Sequence, residues 1–226
     1  MEIKELTPFS LESVFRSPGT PDSVPASCSI ELGSSRPRVE RGENPIVMPS
    51  RRTEKKNQLK IRDARSEDRD TARKITLSAF QQYAAVMPPP RWEGYRENIL
   101  ATLTDVAPAE HIVAEKEGVI LGSVLLYPPG TAFSTPDEGP LTCPEVRLLA
   151  VAPEARGQGI GTVLMKECIR RARRLGAACL NLHTTDMMQA AMRMYERMGF
   201  VRAPELDFHP APSVTVKAYR LELGSR

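Results

Sequence analysis

The segment that most limits what this chain can fold into runs from Arg147 to Leu164, RLLAVAPEARGQGIGTVL. An apolar run that reads as a buried strand ends at Ala152-Pro153, and a turn carrying Gly157, Gly159 and Gly161 delivers the chain into a helix. The helix opens with no carboxylate among its first residues. Backbone N–H groups at such a start lack partners and point outward at the positive end of the helix dipole, so the turn is built to hold phosphate. Arg156 adds a positive guanidinium fork, and the three glycines let the main chain approach an anion with no Cβ in the way.

Three phosphate-binding patterns compete for this segment. A P-loop needs a Lys followed by Ser or Thr after its last glycine, whereas Gly161 is followed by Thr162-Val163. A dinucleotide fingerprint needs G-x-G-x-x-G and an acid about twenty residues on; here the last glycine comes one position early and Asn181-Leu182-His183 stands where the acid belongs. The third pattern, R-G-x-G-I-G opening a helix after A-V-x-P, resembles the pyrophosphate loop of the GNAT family of N-acetyltransferases. A second segment, Ala190 to Phe200, resembles that family's A-x-x-x-Y-E-x-x-G-F helix end. It also has a physical logic of its own. Met188, Ala191, Tyr195 and Met198 share one helical face, Gly199 supplies a left-handed cap, and Phe200-Val201 starts a strand.

Composition narrows the setting. The 226 residues are 41% apolar with a net charge of +3, enough for one core and a tail and too little charge to argue for nucleic acid or an anionic membrane. No run approaches the roughly 18 apolar residues of a membrane span. Glu2 and Glu5, without an apolar core behind them, argue against a secretory leader, so a cytoplasmic protein is expected. Cys28, Cys143, Cys168 and Cys179 form no close pair and read as reduced thiols. His111, His183 and His209 are scattered, so no metal is expected.

Residues 1–57 are rich in Pro and Ser with no sustained period, which reads as a disordered tail, and Met48 offers an alternative start of translation. From residue 58 to 226 the pattern is that of one folded domain. A strand at Leu59–Arg62 precedes a helix capped by Ser66, with Ala72, Ile75, Ala79, Phe80 and Tyr83 inward. A second helix after Pro88-Pro89-Pro90 carries Trp92, Tyr95, Ile99 and Leu103. A hairpin turning near Gly118 follows, then a long loop from Pro128 to Pro144. After the glycine turn, Ile160, Val163, Leu164, Cys168, Ala172 and Leu175 mark an inner helix face, and Lys166, Arg170, Arg171, Arg173 and Arg174 lie mostly outside. Ala178–His183 reads as a strand, and the final strand, near Val214–Leu223, shifts phase at Ala218/Tyr219 as a bulge would make it do. The order β-α-α-β-β-β-α-β-α-β-β gives an α+β fold, a mixed and mostly antiparallel sheet flanked by helices, matching the fold that the resemblance implies.

The resemblance also implies a reaction, transfer of an acetyl group from acetyl-CoA directly to a primary amine, and a set of residues. The phosphates would be held at Arg156, Gly157, Gln158, Gly159, Ile160, Gly161 and Thr162. Leu149, Ala150 and Val151 would expose backbone where the strand splays, with an oxyanion donor in the Ala150-Val151 stretch. Tyr195 matches the family's tyrosine near the coenzyme sulfur and would be the acid. Glu145, opening the central strand, is the candidate base. Trp92, Tyr95 and the segment around Phe133 are candidates for the acceptor pocket. The family often has Asn at the position of Met188; either Gln189 or Asn181 substitutes, or that contact is lost. The expected partners are a small-molecule or protein amine and a second copy of the chain, and the alternative function is a non-catalytic acyl-CoA sensor or interaction module on the same fold.

Overall fold

The structure is a computed structural model that describes residues 58–131, 142–211 and 214–224. The tail, Cys28 and Phe133 lie outside the described residues.

Helices cover both faces of one sheet. The elements in chain order are β1 (Lys60–Asp63), α1 (Arg69–Phe80), α2 (Pro89–Thr104), β2 (Glu110–Lys116), β3 (Val119–Tyr127), β4 (Glu145–Val151), α3 (Ile160–Arg174), β5 (Cys179–Thr184), α4 (Gln189–Arg197), β6 (Val201–Arg202), β7 (Phe208–Ala211) and β8 (Val214–Glu222). Strand order is β1-β2-β3-β4-β5-β8-β6, with β7 paired to β8. Every pairing is antiparallel except β4 with β5.

Alternation along β3 assigns the two layers. Val124 and Leu126 face one way and pack with Leu164, Cys168 and Tyr195 from α3 and α4. Leu125 and Tyr127 face the other way and pack with Phe80, Ile99 and Leu103 from α1 and α2. α3 lies so close to β3 that a Cβ on Gly122 would come within 3.0 Å of the Ala150 carbonyl oxygen and of the Ile160 and Leu164 side chains.

Several sequence expectations are corrected. Val163 and Leu175 are exposed, while Met165 and Ile169 complete the inner face of α3. Arg171 is buried rather than solvated: it is clamped between Asp63, Glu110 and Glu167, tying α3 to β1 and β2. Ser66 does not cap α1; it opens a 3₁₀ turn (Ser66–Asp68), and the Asp68 carboxylate accepts from the Arg65 N–H. β8 has no bulge at Ala218/Tyr219, since its register with β5 is continuous from Lys217 to Glu222. Both residues are buried because β8 is covered on both faces, which mimics a phase shift.

The cysteines differ most from expectation. Cys143 and Cys179 form a disulfide, with Cα atoms 5.5 Å apart. The parallel rung Glu145↔Asn181 places the residues two positions earlier side by side. Cys168 is a buried thiol pushed up to about 12 by burial. No helix among the described residues is long and apolar enough to cross a membrane.

Candidate active site

The sheet is open at its centre. β4 and β5 pair only at Glu145↔Asn181 and Val146↔Leu182 and then part. On its other side β4 also leaves regular pairing: Leu125 opposes Arg147 and Ser123 opposes Ala150, so Leu148 and Leu149 together face Val124. Leu148 takes φ +48°, left-handed backbone that a bulky side chain rarely adopts. A bulge on one side and a split on the other bend β4 away from β5. The gap forms a cleft of about 820 Å³ lined by both strands, by α2 and by the start of α3.

The glycine turn forms one end of this cleft. Gly157 (φ +76°) and Gly159 (φ +77°) hold left-handed conformations, and a Cβ at either would meet open space. These glycines are required by the backbone path. Gly161 is helical, and its missing Cβ faces the Met194 sulfur and Val151 at van der Waals distance. The N–H groups from Gly157 to Thr162 have no acceptor among the described residues, no side chain caps α3, and its first turn carries no acid. Arg156 is not a free fork. Its guanidinium donates to the Ala79 carbonyl at 2.9 Å and to Gln82 Oε1 at 3.2 Å, anchoring the turn to the first helix while lining the cleft. Gln158 stays at the surface, outside the cleft wall.

Glu145 sits at the base of the split, 1% exposed and with both oxygens engaged. Oε2 accepts from Arg147 Nε at 2.9 Å and Nη2 at 2.8 Å, and Oε1 lies 2.8 Å from His183 Nδ1. Burial alone would raise its pKa, but the Arg147 charge and the His183 bond outweigh it and hold the carboxyl below its ordinary value. Glu145 is therefore an ionised, buried group rather than a surface carboxylate. The other ring nitrogen of His183, Nε2, lies 3.0 Å from the Leu206 carbonyl oxygen. With acceptors on both sides, the ring makes both bonds only when it carries two protons. The Arg147 guanidinium lies 4.3 Å from the Tyr127 ring centre, which fixes its plane.

Tyr195 and Tyr95 both line the cleft, joined by Tyr83 from the turn after α1. Burial pushes the Tyr195 and Tyr95 phenols well above their ordinary range, and Tyr83 pushes both the same way. Tyr195 is thus a phenol that keeps its proton. Trp92 packs behind Tyr95, with ring centres 6.3 Å apart, and does not reach the cleft. Met188 lines the cleft, but neither proposed substitute does. Asn181 Oδ1 accepts from Arg220, and Gln189 donates to the Asp186 carbonyl.

The sequence reading missed His183, Tyr83 and Arg147. His183 falls on the Glu145 face only through the parallel β4–β5 register, which no local pattern encodes. Arg147 had a weak signal, alternation with Glu145 along one strand.

The family model for the acetyltransferase (GNAT) family matches residues 73–200. The chain belongs to the GNAT acetyltransferase family. This GNAT chain is 33% identical over 113 residues to an uncharacterized N-acetyltransferase of Schizosaccharomyces pombe, covering 50% of this chain and 63% of that protein. It is 36% identical over 97 residues to a mycothiol acetyltransferase of Geodermatophilus obscurus, covering 42% of this chain and 30% of that one. The matches thus span less than two thirds of either relative. Among solved structures, an acetyltransferase of the GNAT family from Staphylococcus aureus superposes with a TM-score of 0.57 at 14% identity, covering 74% of this chain and all of that one (100%). A Corynebacterium glutamicum structure described as histone acetyltransferase HPA2 and related acetyltransferase gives 0.54 at 21% identity, covering 72% of this chain and 94% of that one. At these identities the likeness is one of fold.

Proposed function

We propose that this chain transfers the acetyl group of acetyl-CoA to a primary amine by direct attack. The observation that carries the reading is the row of unpartnered N–H groups from Gly157 to Thr162 at the mouth of a split sheet. An anion there would meet backbone donors and the positive end of α3 together, so the turn fits a diphosphate. The groove beside the turn, lined by Thr162, Lys166, Arg173, Arg174 and Arg197, supplies further positive charge for the nucleotide's remaining phosphate. The coenzyme, when bound, supplies an activated thioester carbonyl.

The protein's part is then positioning and proton handling. An alkylammonium of pKa about 10.4 is neutral about once in 2,500 at pH 7, which left uncorrected adds roughly 4.6 kcal/mol to the barrier. Glu145, an ionised carboxylate on the cleft wall, is the group to draw that proton away through a water, with His183 holding it in place. A main-chain N–H in the Ala150–Val151 stretch of the bent strand would face the charge developing on the carbonyl oxygen. Tyr195, which keeps its proton, would donate it to the departing sulfur. Tyr95, with Tyr83, lines the acceptor side.

A panel of polyamines, amino acids, aminoglycosides and peptide N-termini, read by thiol release from acetyl-CoA, tests the reading. At least one acceptor should release thiol above the rate without acceptor. Tight coenzyme binding with no transfer to any amine would instead favour an acyl-CoA sensor.

A further inference from the structure

Several threonine hydroxyls among the described residues find partners. Thr76, Thr102 and Thr104 donate back to carbonyls four residues earlier, and Thr131 donates to the Pro128 carbonyl. Two buried ones do not. Thr184 Oγ1 and Thr185 Oγ1 are buried with no hydrogen-bond partner, and the remaining such atom among the described residues is Arg73 Nε, away from the cleft. Thr184 is 2% exposed, and both threonines line the cleft. Neither has a structural use for its hydroxyl: Thr185 occupies the capping position of the 3₁₀ turn Asp186–Met188 without making a side-chain cap bond.

Their position indicates what would complete them. Thr184 lies two residues beyond the last β4–β5 rung, at Leu182, so its edge toward β4 is open while its other edge pairs with Lys217 of β8. Alternation puts its side chain on the Leu180 and Leu182 face, which packs in the same cluster as Tyr195. A ligand reaching from the glycine turn through the split toward Tyr195 passes these hydroxyls. A threonine hydroxyl can donate one hydrogen bond and accept others, which suits a chain of amide groups and a terminal carbonyl.

We propose that the Thr184 and Thr185 hydroxyls are the side-chain hydrogen-bond partners of the amide-bearing arm of the coenzyme at its thiol end. They make the site discriminate coenzyme A from the bare nucleotide. The proposal rests on the coenzyme reading above, and its test separates the two.

Calorimetric titration of the full chain would use coenzyme A and adenosine 3′,5′-bisphosphate, which lacks the arm. Thr184→Val keeps the β-branched shape and removes the hydroxyl. It should weaken coenzyme A about tenfold (about 1.4 kcal/mol) and leave the bisphosphate within about twofold of the parent, and Thr185→Val should act in the same direction. Thr184→Ser should bind coenzyme A as the parent does. The melting temperature of ligand-free Thr184→Val should match or exceed the parent's, because a buried orphan group is gone; a purely structural role would lower it. Unchanged coenzyme A affinity in both valine variants would overturn the proposal and leave the coenzyme reading standing. Equal weakening of both ligands would overturn it as well. If the parent bound neither ligand, the coenzyme reading would fall first and take this proposal with it.

Discussion

Replacing Glu145 probes fold and chemistry at once. Its carboxylate is 1% exposed and takes two N–H groups of Arg147 and one ring nitrogen of His183, so solvent screening gives no discount. In Glu145→Gln the amide oxygen can still accept from Arg147. The amide N–H can donate to Nδ1 of a neutral His183 that keeps its Nε2–H bond to Leu206. What is lost is the charge opposite Arg147, so the variant should be less stable by about 1.5–3 kcal/mol, the value of a hydrogen bond to a charged group. Glu145→Ala leaves Arg147 without its buried counter-charge and should cost about 3–5 kcal/mol. The pH dependence carries a definite sign. The folded carboxyl titrates below its ordinary 4.5, so its contribution is complete above that pH and is lost as pH falls through the lowered value. Urea unfolding of the parent and Glu145→Gln between pH 7 and pH 3 should show a constant gap that closes at the acid end. Turnover of Glu145→Gln should fall at least about 100-fold if the carboxylate takes the acceptor's proton. Equal stability at every pH would show that Glu145 is not a buried ionised partner, and equal turnover would remove it from the mechanism.

Three further outcomes are expected. Tyr195→Phe should lower kcat by about 100-fold with coenzyme affinity unchanged, read by steady-state kinetics and calorimetry; equal turnover would remove the phenol from the mechanism. Gly122→Ala should lower stability by about 1–3 kcal/mol in urea melts, because its methyl meets backbone and two α3 side chains at 3.0 Å; a neutral change would mean that α3 shifts freely on the sheet. Non-reducing peptide mapping should recover Cys143 linked to Cys179, and Cys143→Ser should cost about 4 kcal/mol from loop closure over a separation of 36 residues.

How much of this was legible in the sequence depended on how local each feature is. The β4–turn–α3 passage and the α4 end at Tyr195–Gly199 are fixed by glycine conformations and helical spacing within a few residues, and both read correctly apart from Met188, which ends the 3₁₀ turn before α4 and packs with the α1–α2 cluster instead of with Ala191, Tyr195 and Met198. The Arg171 clamp could not be read that way. Its partners Asp63 and Glu110 come from two other strands, and in sequence it resembles the solvated arginines beside it. Cys143–Cys179 and Glu145–His183 depend on one fact, the parallel register of β4 and β5, and parallel pairing leaves no turn to announce it. The false bulge in β8 arose from reading two buried neighbours as a phase slip, when the strand is covered on both faces. Thr184 and Thr185 carry no sequence signal because an unused hydroxyl becomes visible only once every neighbour is placed.

The most direct measurement is calorimetric titration of coenzyme A into the purified parent and into Gly159→Val. The parent should bind with a stoichiometry of one per chain. The variant should show no binding, because a β-branched residue is barred from φ +77°, so the turn must leave the path that aligns its N–H donors. Silence from the parent, or undiminished binding by the variant, would contradict a diphosphate site at this turn.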